Sequence, residues 1–446
     1  MAVKPATPPD GLLVSNPGRA VSWTSRSVRI SLGAAIFLIL AFPFAALAQG
    51  ETIGGTLVYR ADGERTPVEG VMITVSQDGT PIGTAVSDAE GRWVVPLPGP
   101  GTYQVSLDVA TLPEGVALTD PTAVELTNVA VIGGQRRSVI FPLGEGTTGG
   151  VGTVARVGGL LVAGLKLGGT IALAALGLSL IYGVTRLVNF AHAELVTLGA
   201  VIAYLFHANG PGWPLVVAAI PAVLFVAGFG WLQGRYLWQP LRKRGTVALS
   251  LMVVSIGLSF ALRSLIQLFF GGQPVAYPDF AGQPAIDVLG IPMVPKHLAT
   301  IGVSVAVLFL VAQFLQRSRT GTAMRAVSDD RDLAESSGIN VDRVIQVTWT
   351  LAAFLAALGG IFLGLNESVS YDMGFTVLLL LFAAVVLGGL GTTFGVMVGG
   401  FAVGIVVEMS TLWLPAELKV VAGLVILIVM LLFRPQGIFG TRERIG

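Results

Sequence analysis

Between Leu160 and Phe433 the chain runs through one apolar segment after another, separated by short polar breaks. That feature excludes most folds. In lipid every backbone N–H and C=O must find an internal partner, which restricts spanning segments to helices or closed barrels. Long apolar runs recurring in this way are the signature of a polytopic membrane protein. They fall at 160–184, 191–208, 215–238, 246–270, 299–315, 344–365, 375–391, 395–414 and 418–433. Several are shorter than the roughly 20 residues that cross a bilayer untilted, so some are expected to be broken or re-entrant. The expected fold class is a polytopic α-helical membrane protein with about nine spans or re-entrant helices, preceded by an all-β sandwich. Only 12% of residues are charged, against about 25% in soluble domains.

The organisation before the first span is different. Residues 1–48 carry Arg19, Arg26 and Arg29, then the apolar ISLGAAIFLILAFPFAALA ending in Ala46-Leu47-Ala48. Basic flank, apolar core and small-residue exit read as a secretory signal peptide, or as an uncleaved signal anchor. Residues 51–143 hold short alternating segments (TLVY, VMITVS, GTAVS, WVVPL, YQVSL) between Gly, Pro and Asp turns, the spacing of an all-β sandwich. Asp88-Ala89-Glu90-Gly91 is a turn sequence, and Trp93 a core aromatic. Residues 144–159 form a Gly/Thr-rich flexible linker, and 160–440 form the membrane domain.

Composition removes other classes. The chain has no Cys, so disulfides and Cys-based metal or redox sites are out. His192, His207 and His297 are scattered; no metal site is expected, and no cofactor. A net charge of +1 without a basic stripe gives no reason to expect nucleic acid. Charge does orient the spans. An exported β domain puts the start of the first span outside, and nine crossings leave the C-terminus inside. The loops then assigned to the cytoplasm hold Arg186, Arg242, Lys243, Arg244, Arg317, Arg319, Arg325, Arg331, Arg343, Arg434, Arg442 and Arg444. Those assigned outside hold Lys296 and Lys419. The asymmetry satisfies the positive-inside rule.

The stretch GTAMRAVSDDRDLAESSGIN (321–340) is the most polar part of the membrane region. Arg325, Asp329, Asp330, Arg331, Asp332 and Glu335 cannot lie in lipid, where each charge costs about 3 kcal/mol. The local pattern is helical: Ser328 is placed to cap, with Asp329 and Asp330 at the helix start and Gly338 at its stop. Ile339 supplies the apolar contact of the stop, and Asn340 caps the next helix with Asp342 in its first turn. Met324, Val327, Leu333 and Ala334 give one apolar face. A solvated connector explains the charge; a helix, a stop and a second helix suit a rigid knob gripped by a cytoplasmic partner.

GLKLGGTIALAALGLSLIYGVTRLVNFAHAELVTLGA (164–200) resembles the first two helices of LivH-like permeases of branched-chain amino-acid ABC transporters. GTAMRAVSDDRDLAESSGINVDRV resembles their cytoplasmic coupling loop, VLGGLGTTFGVMVGGFAVGI (386–405) their Gly-rich helix pair, and RPQGIFG (434–440) their C-terminal signature. The resemblance implies a permease working with a second, LivM-like permease subunit, two cytoplasmic ATPase subunits and an extracytoplasmic solute-binding protein, in contact with membrane lipid. It implies no enzymatic activity of the chain itself; the chain also has no GxxxxGK[ST] phosphate loop. Ala193 stands where the family carries Gly after the His. Ser87–Trp93 and Pro100–Val105 resemble carboxypeptidase-regulatory-like sandwiches, which lie outside the usual family pattern.

Other constellations remain. Asn189, Phe190, His192 and Glu194 mark a helix boundary whose polar groups need partners, either to fix a bend or to meet solute. Gly391, Gly395 and Gly399 spell GxxxGxxxG, with Gly388 and Gly389 close by, a surface for close helix packing or for a sliding wall of the pathway. Glu408 lies in a span, in a buried pair, on a pathway or near the outer end. Ser250, Ser255 and Ser259 are spaced for one helix face, as the lining of a polar cavity or as hydroxyls in helix packing. The function expected is an ATP-driven importer subunit for branched-chain or other small amino acids. Urea or short amides are the alternative solutes, an ion-coupled secondary transporter the alternative mechanism, and an anchored surface-binding protein the alternative class.

Overall fold

The computed structural model describes residues 51–440, apart from 62–63, 119–123, 132–135, 140, 142, 145–152, 210, 273, 281–282, 284–285, 289–290, 416–417 and 435. The expected signal peptide (1–48) lies outside the described residues. Strands β1 (Thr52–Thr56), β2 (Val58–Ala61), β3 (Glu64–Pro67), β4 (Met72–Gln77), β5 (Thr80–Val86), β6 (Arg92–Pro96), β7 (Gly101–Leu107), β8 (Glu125–Val131), β9 (Arg136–Ser138) and β10 (Leu143–Gly144) follow the alternating stretches. They form sheets in the orders β6-β1-β9, β10-β2-β3 and β5-β4-β7-β8. Period-two alternation turns Ile73, Val75, Tyr103, Val105 and Leu107 into one core with Ile53, Trp93, Val95 and Phe141. The expected turn is present: Gly91 has φ +74°, and its N–H donates to the Asp88 carbonyl at 2.7 Å. The Asp88 carboxylate accepts from the Arg92 amide at 2.7 Å. That backbone bond is the chief cause holding its pKa below the ordinary carboxylate value.

The membrane domain comprises eleven helices among the described residues. They are α1 (Thr153–Thr185) and α2 (His192–Tyr204, continued as a π-helical turn to Asn209). Next come α3 (Leu215–Lys243, with a π-helical turn at Gly234–Trp238) and α4 (Ala248–Phe270). A hairpin of β11 (Ile286–Val288) and β12 (Ile291–Met293) follows. The rest are α5 (Pro295–Arg317), α6 (Arg319–Asp329), α7 (Arg331–Ser336), α8 (Val341–Asn366), α9 (Met373–Gly388), α10 (Thr393–Met409) and α11 (Lys419–Phe433). Six of these, α1, α3, α4, α5, α8 and α10 (the last with its 3-10 extension to Leu412), are long and apolar enough to cross a membrane. The apolar segments at α2, α9 and α11 are shorter. One boundary moves: α1 begins at Thr153, inside the stretch expected as linker to 159. No proline lies in 153–159 to stop the helix, and a Cβ at Gly158 would stand 2.5 Å from Ile291 Cδ1 of β12, so Ile291 would have to shift.

Helix α1 is apolar on all sides and is the hub, as such a helix must be. It packs on α10, α8, α5 and α9. Two ends of the bundle are distinguishable. At one, Val275 and Val369 form a backbone bridge and Lys296 donates to the carbonyls of Phe280 and Leu365 at 3.2 and 3.0 Å. At the other, Arg186 donates to the Ser328 carbonyl at 3.0 Å. There too Lys243 pairs with Asp342 at 2.7 Å, and the Ile438 amide donates to the Leu387 carbonyl at 2.9 Å.

The glycine pattern needs one correction. Gly391 is not part of a helical GxxxGxxxG; it sits with Gly389 in the α9–α10 turn, at φ +80° and +109°. A left-handed backbone at two glycines ends α9 before the motif begins. Within α10, Gly395 and Gly399 meet Gly388 and Ala384 of α9, while Gly400 and Gly404 meet Ala172 and Gly168 of α1. A Cβ at Gly400 would stand 2.6 Å from the Ala172 Cα. Gly400→Leu is therefore expected to cost at least the ~1–3 kcal/mol of an overpacked core. It should lower both the melting temperature and the yield of purified protein, measured in detergent.

Candidate functional site

The polar hairpin between α5 and α8 is built from caps. Ser318 accepts from the Gly321 amide at 2.9 Å and starts α6. Gly321 lies directly against the Leu315 carbonyl, where no Cβ fits. Met324 and Val327 are buried in a cluster that includes Val184, Leu315, Val341 and Ile345. Arg325 closes the turn by donating to the Leu315 carbonyl at 2.6 Å. Ser328, expected as a cap, lies inside α6 instead; Asp330 takes that role by accepting from the Leu333 amide at 2.9 Å. The break falls at Asp330 because its backbone is extended there, φ −150°. Asp329 thus ends α6, whereas Asp332 lies in the first turn of α7.

The far side of the hairpin matches expectation. Gly338 has φ +85°, the Ile339 amide donates to the Ala334 carbonyl at 3.0 Å, and Asn340 accepts from the Arg343 amide at 2.9 Å. The expected apolar face is only partly used: Met324, Val327 and Ala334 are buried, but Leu333 is 64% exposed. It stands among exposed Asp329, Asp330, Arg331, Asp332 and Glu335. Beside it Lys243, Arg331, Glu335, Gly338 and Asp342 line a polar cavity of about 490 Å³. Asp330→Ala should cost about 1 kcal/mol of local stability by loss of the cap. Hydrogen exchange of the α7 amides, faster in the variant with the rest unchanged, checks this.

A second polar centre lies deep in the bundle. After Thr185 the chain turns at Arg186, φ +54°, runs without regular structure along α1, and restarts as α2 only at His192. The His192 Nε2–H donates to the Ala174 carbonyl at 2.9 Å, about 16 Å up α1 from Thr185 at 1.5 Å per residue. Asn189 supports the break by accepting from the Ala191 amide at 3.2 Å, a local side-chain bond that replaces a helical one. Phe190 is fixed by its amide donating to Ser255 Oγ at 3.1 Å and by its ring against Phe382 at 5.3 Å. Glu194, fully buried, accepts from Ser259 Oγ at 2.8 Å and faces Arg263 Nε at 3.4 Å. The Arg263 guanidinium lies 3.7 Å over the Phe375 ring and 5.2 Å from that of Phe260. Helix α9 also starts here: the Gly374 amide donates to Thr197 Oγ1 at 3.1 Å.

The structure thus gathers Asn189, Phe190, His192 and Glu194 with Ser255 and Ser259, and keeps Ser250, exposed at the start of α4, apart. Glu408 is elsewhere, paired with Lys419 at 3.0 Å. Arg263 is the residue the sequence reading missed. Its signal was a guanidinium within the otherwise apolar run 246–270, where a charge needs a partner.

The bundle combines interrupted helices, a buried charged centre and a capped polar hairpin at one end, the architecture of a polytopic membrane permease. The chain belongs to the family described as branched-chain amino acid transport system / permease component, whose profile matches residues 160–433. It is 33% identical over 297 residues to the high-affinity branched-chain amino acid transport system permease protein LivH of Escherichia coli, covering 63% of this chain and 94% of that one. It is 30% identical to BraD of Pseudomonas aeruginosa, covering 64% and 95%. It is 24% identical to LivM of Salmonella typhimurium, covering 59% and 66%.

Proposed function

We propose that this chain is the permease subunit of an ATP-driven importer for branched-chain or other small amino acids. The observation that carries the reading is the capped hairpin Arg319–Asn340, a rigid knob with an exposed leucine in a ring of charge, on a chain of this family. Two ATPase subunits grip the knob; their closure tilts α5 and α8, into which the hairpin is continuous, and switches access between the two sides. A second, LivM-like permease subunit completes the pathway, and an extracytoplasmic binding protein delivers the solute. The Lys/Arg asymmetry sets the hairpin and C-terminus in the cytoplasm and the β unit outside. The three shorter apolar helices enter the bilayer with the six long ones, as nine membrane segments in all. Residues 1–48 act as the export signal. Residues 51–143 fold as a carboxypeptidase-regulatory-like sandwich that holds the binding protein near the outer mouth, raising its local concentration.

Reconstitution with the four partner subunits tests the reading. Leucine uptake that requires enclosed ATP and the binding protein is the expected result. Uptake driven by an ion gradient without ATPases would overturn it, and uptake of urea in place of leucine would reassign the solute.

A further inference from the structure

The pair Glu194–Arg263 is incompletely satisfied. At 3.4 and 3.5 Å the two Arg263 contacts to Glu194 Oε1 are long for charge-assisted bonds. Glu194 Oε2 is buried with no hydrogen-bond partner among the described residues. A buried carboxylate oxygen left in that state costs free energy unless something else meets it. Around it the N-termini of α2 and α9 both lie at this level, each presenting the partial positive end of a helix, and Arg263 adds a full positive charge, opposed by the nearby Asp372 carboxylate. Asp372, at the start of α9, is held by Ser370 at 2.8 Å.

Exposure points the same way. Arg263 keeps 15% of its side chain accessible between Phe260 and Phe375, which are 57% and 42% exposed. A guanidinium opening between two rings on an outward face is costly against lipid. The face is therefore met by water or protein. Short helices whose N-termini meet deep in a bundle offer both an anion site and loosely held polar groups for a solute.

We propose that Glu194 and Arg263 contact the zwitterionic head of the amino acid in transit, Arg263 taking its α-carboxylate and Glu194 its ammonium. The solute exchanges its two charges for the loose internal pair, so neither protein charge is ever left alone in the bilayer. Phe260 and Phe375 flank the guanidinium and hold its plane in place. This inference rests on the reading of the chain as an amino-acid permease.

The assembled transporter in vesicles tests it. Glu194→Gln, nearly isosteric, is expected to lower ATP-dependent leucine uptake per assembled complex at least tenfold. Arg263→Lys, which keeps the charge and loses the fork, should fall less. Because the chain has no cysteine, Ser259→Cys gives a single thiol in this subunit. During turnover it should react with a permanently charged methanethiosulfonate at least tenfold faster than Leu224→Cys on the outward face of α3. Leucine-loaded binding protein should slow the reaction. Wild-type uptake by Glu194→Gln, or labelling of Ser259→Cys no faster than Leu224→Cys, would overturn the proposal. A wild-type complex without ATP-dependent leucine uptake would instead overturn the permease reading on which it stands.

Discussion

Leu333→Asp is expected to reduce ATP-dependent leucine uptake by tenfold or more while leaving the melting temperature of the purified chain unchanged. Leu333 is 64% exposed on α7, so its loss removes almost no internal packing, and surface changes of this kind usually stay within ±0.5 kcal/mol. In a complex the same side chain would be the apolar centre of a patch rimmed by Asp329, Asp330, Arg331, Asp332 and Glu335, the layout of an interface anchor. Truncating such an anchor costs about 2 kcal/mol or more, and a buried carboxylate in its place costs further. Hydrolysis rate, uptake and co-purification of the ATPases should fall together. Full uptake with ATPases still bound would show that this knob is not the grip.

Trp93→Ala is the second change with a large effect, and it should separate the two parts of the chain. Trp93 is 2% exposed at the centre of the β core, with its ring close to Gly55. Removing a buried aromatic costs about 3–5 kcal/mol, a large fraction of the 5–15 kcal/mol that holds a domain together. Limited proteolysis should cut 51–143 far faster than in wild type while the membrane helices stay intact. If the β unit concentrates the binding protein, uptake in this variant will fall when binding protein is scarce and recover when it saturates. Equal uptake at both concentrations would sever the β unit from transport.

The comparison of sequence and structure turns on particular residues. Asn340, Gly338 and Ile339 were readable because a cap and a left-handed stop are local events, decided within five residues. Ser328 misled for the opposite reason: it has the chemistry of a cap, but α6 had already started at Ser318, and Asp330, two residues on, is extended. Leu333 was expected on one apolar face with Met324, Val327 and Ala334, yet those three are buried while Leu333 points outward. Glu194 was recognisable as a polar group in need of a partner. Its partner Arg263 is 69 residues away in sequence, and nothing local connects them.

Sequence by itself determined that the chain is helical where it is apolar, that 321–340 cannot enter lipid, and that 51–143 is made of strands. Each follows from a short-range property: hydropathy over a window, charge at a position, or alternation by two. Tertiary structure alone decided which polar groups meet. The restart of α2 at His192 and of α9 at Met373 brings two helix ends to one level, and α4 delivers Arg263 beside them. Long-range contacts of that kind depend on how packed helices register, and glycines such as Gly374 and Gly400 allow that register only once the facing backbone is in place.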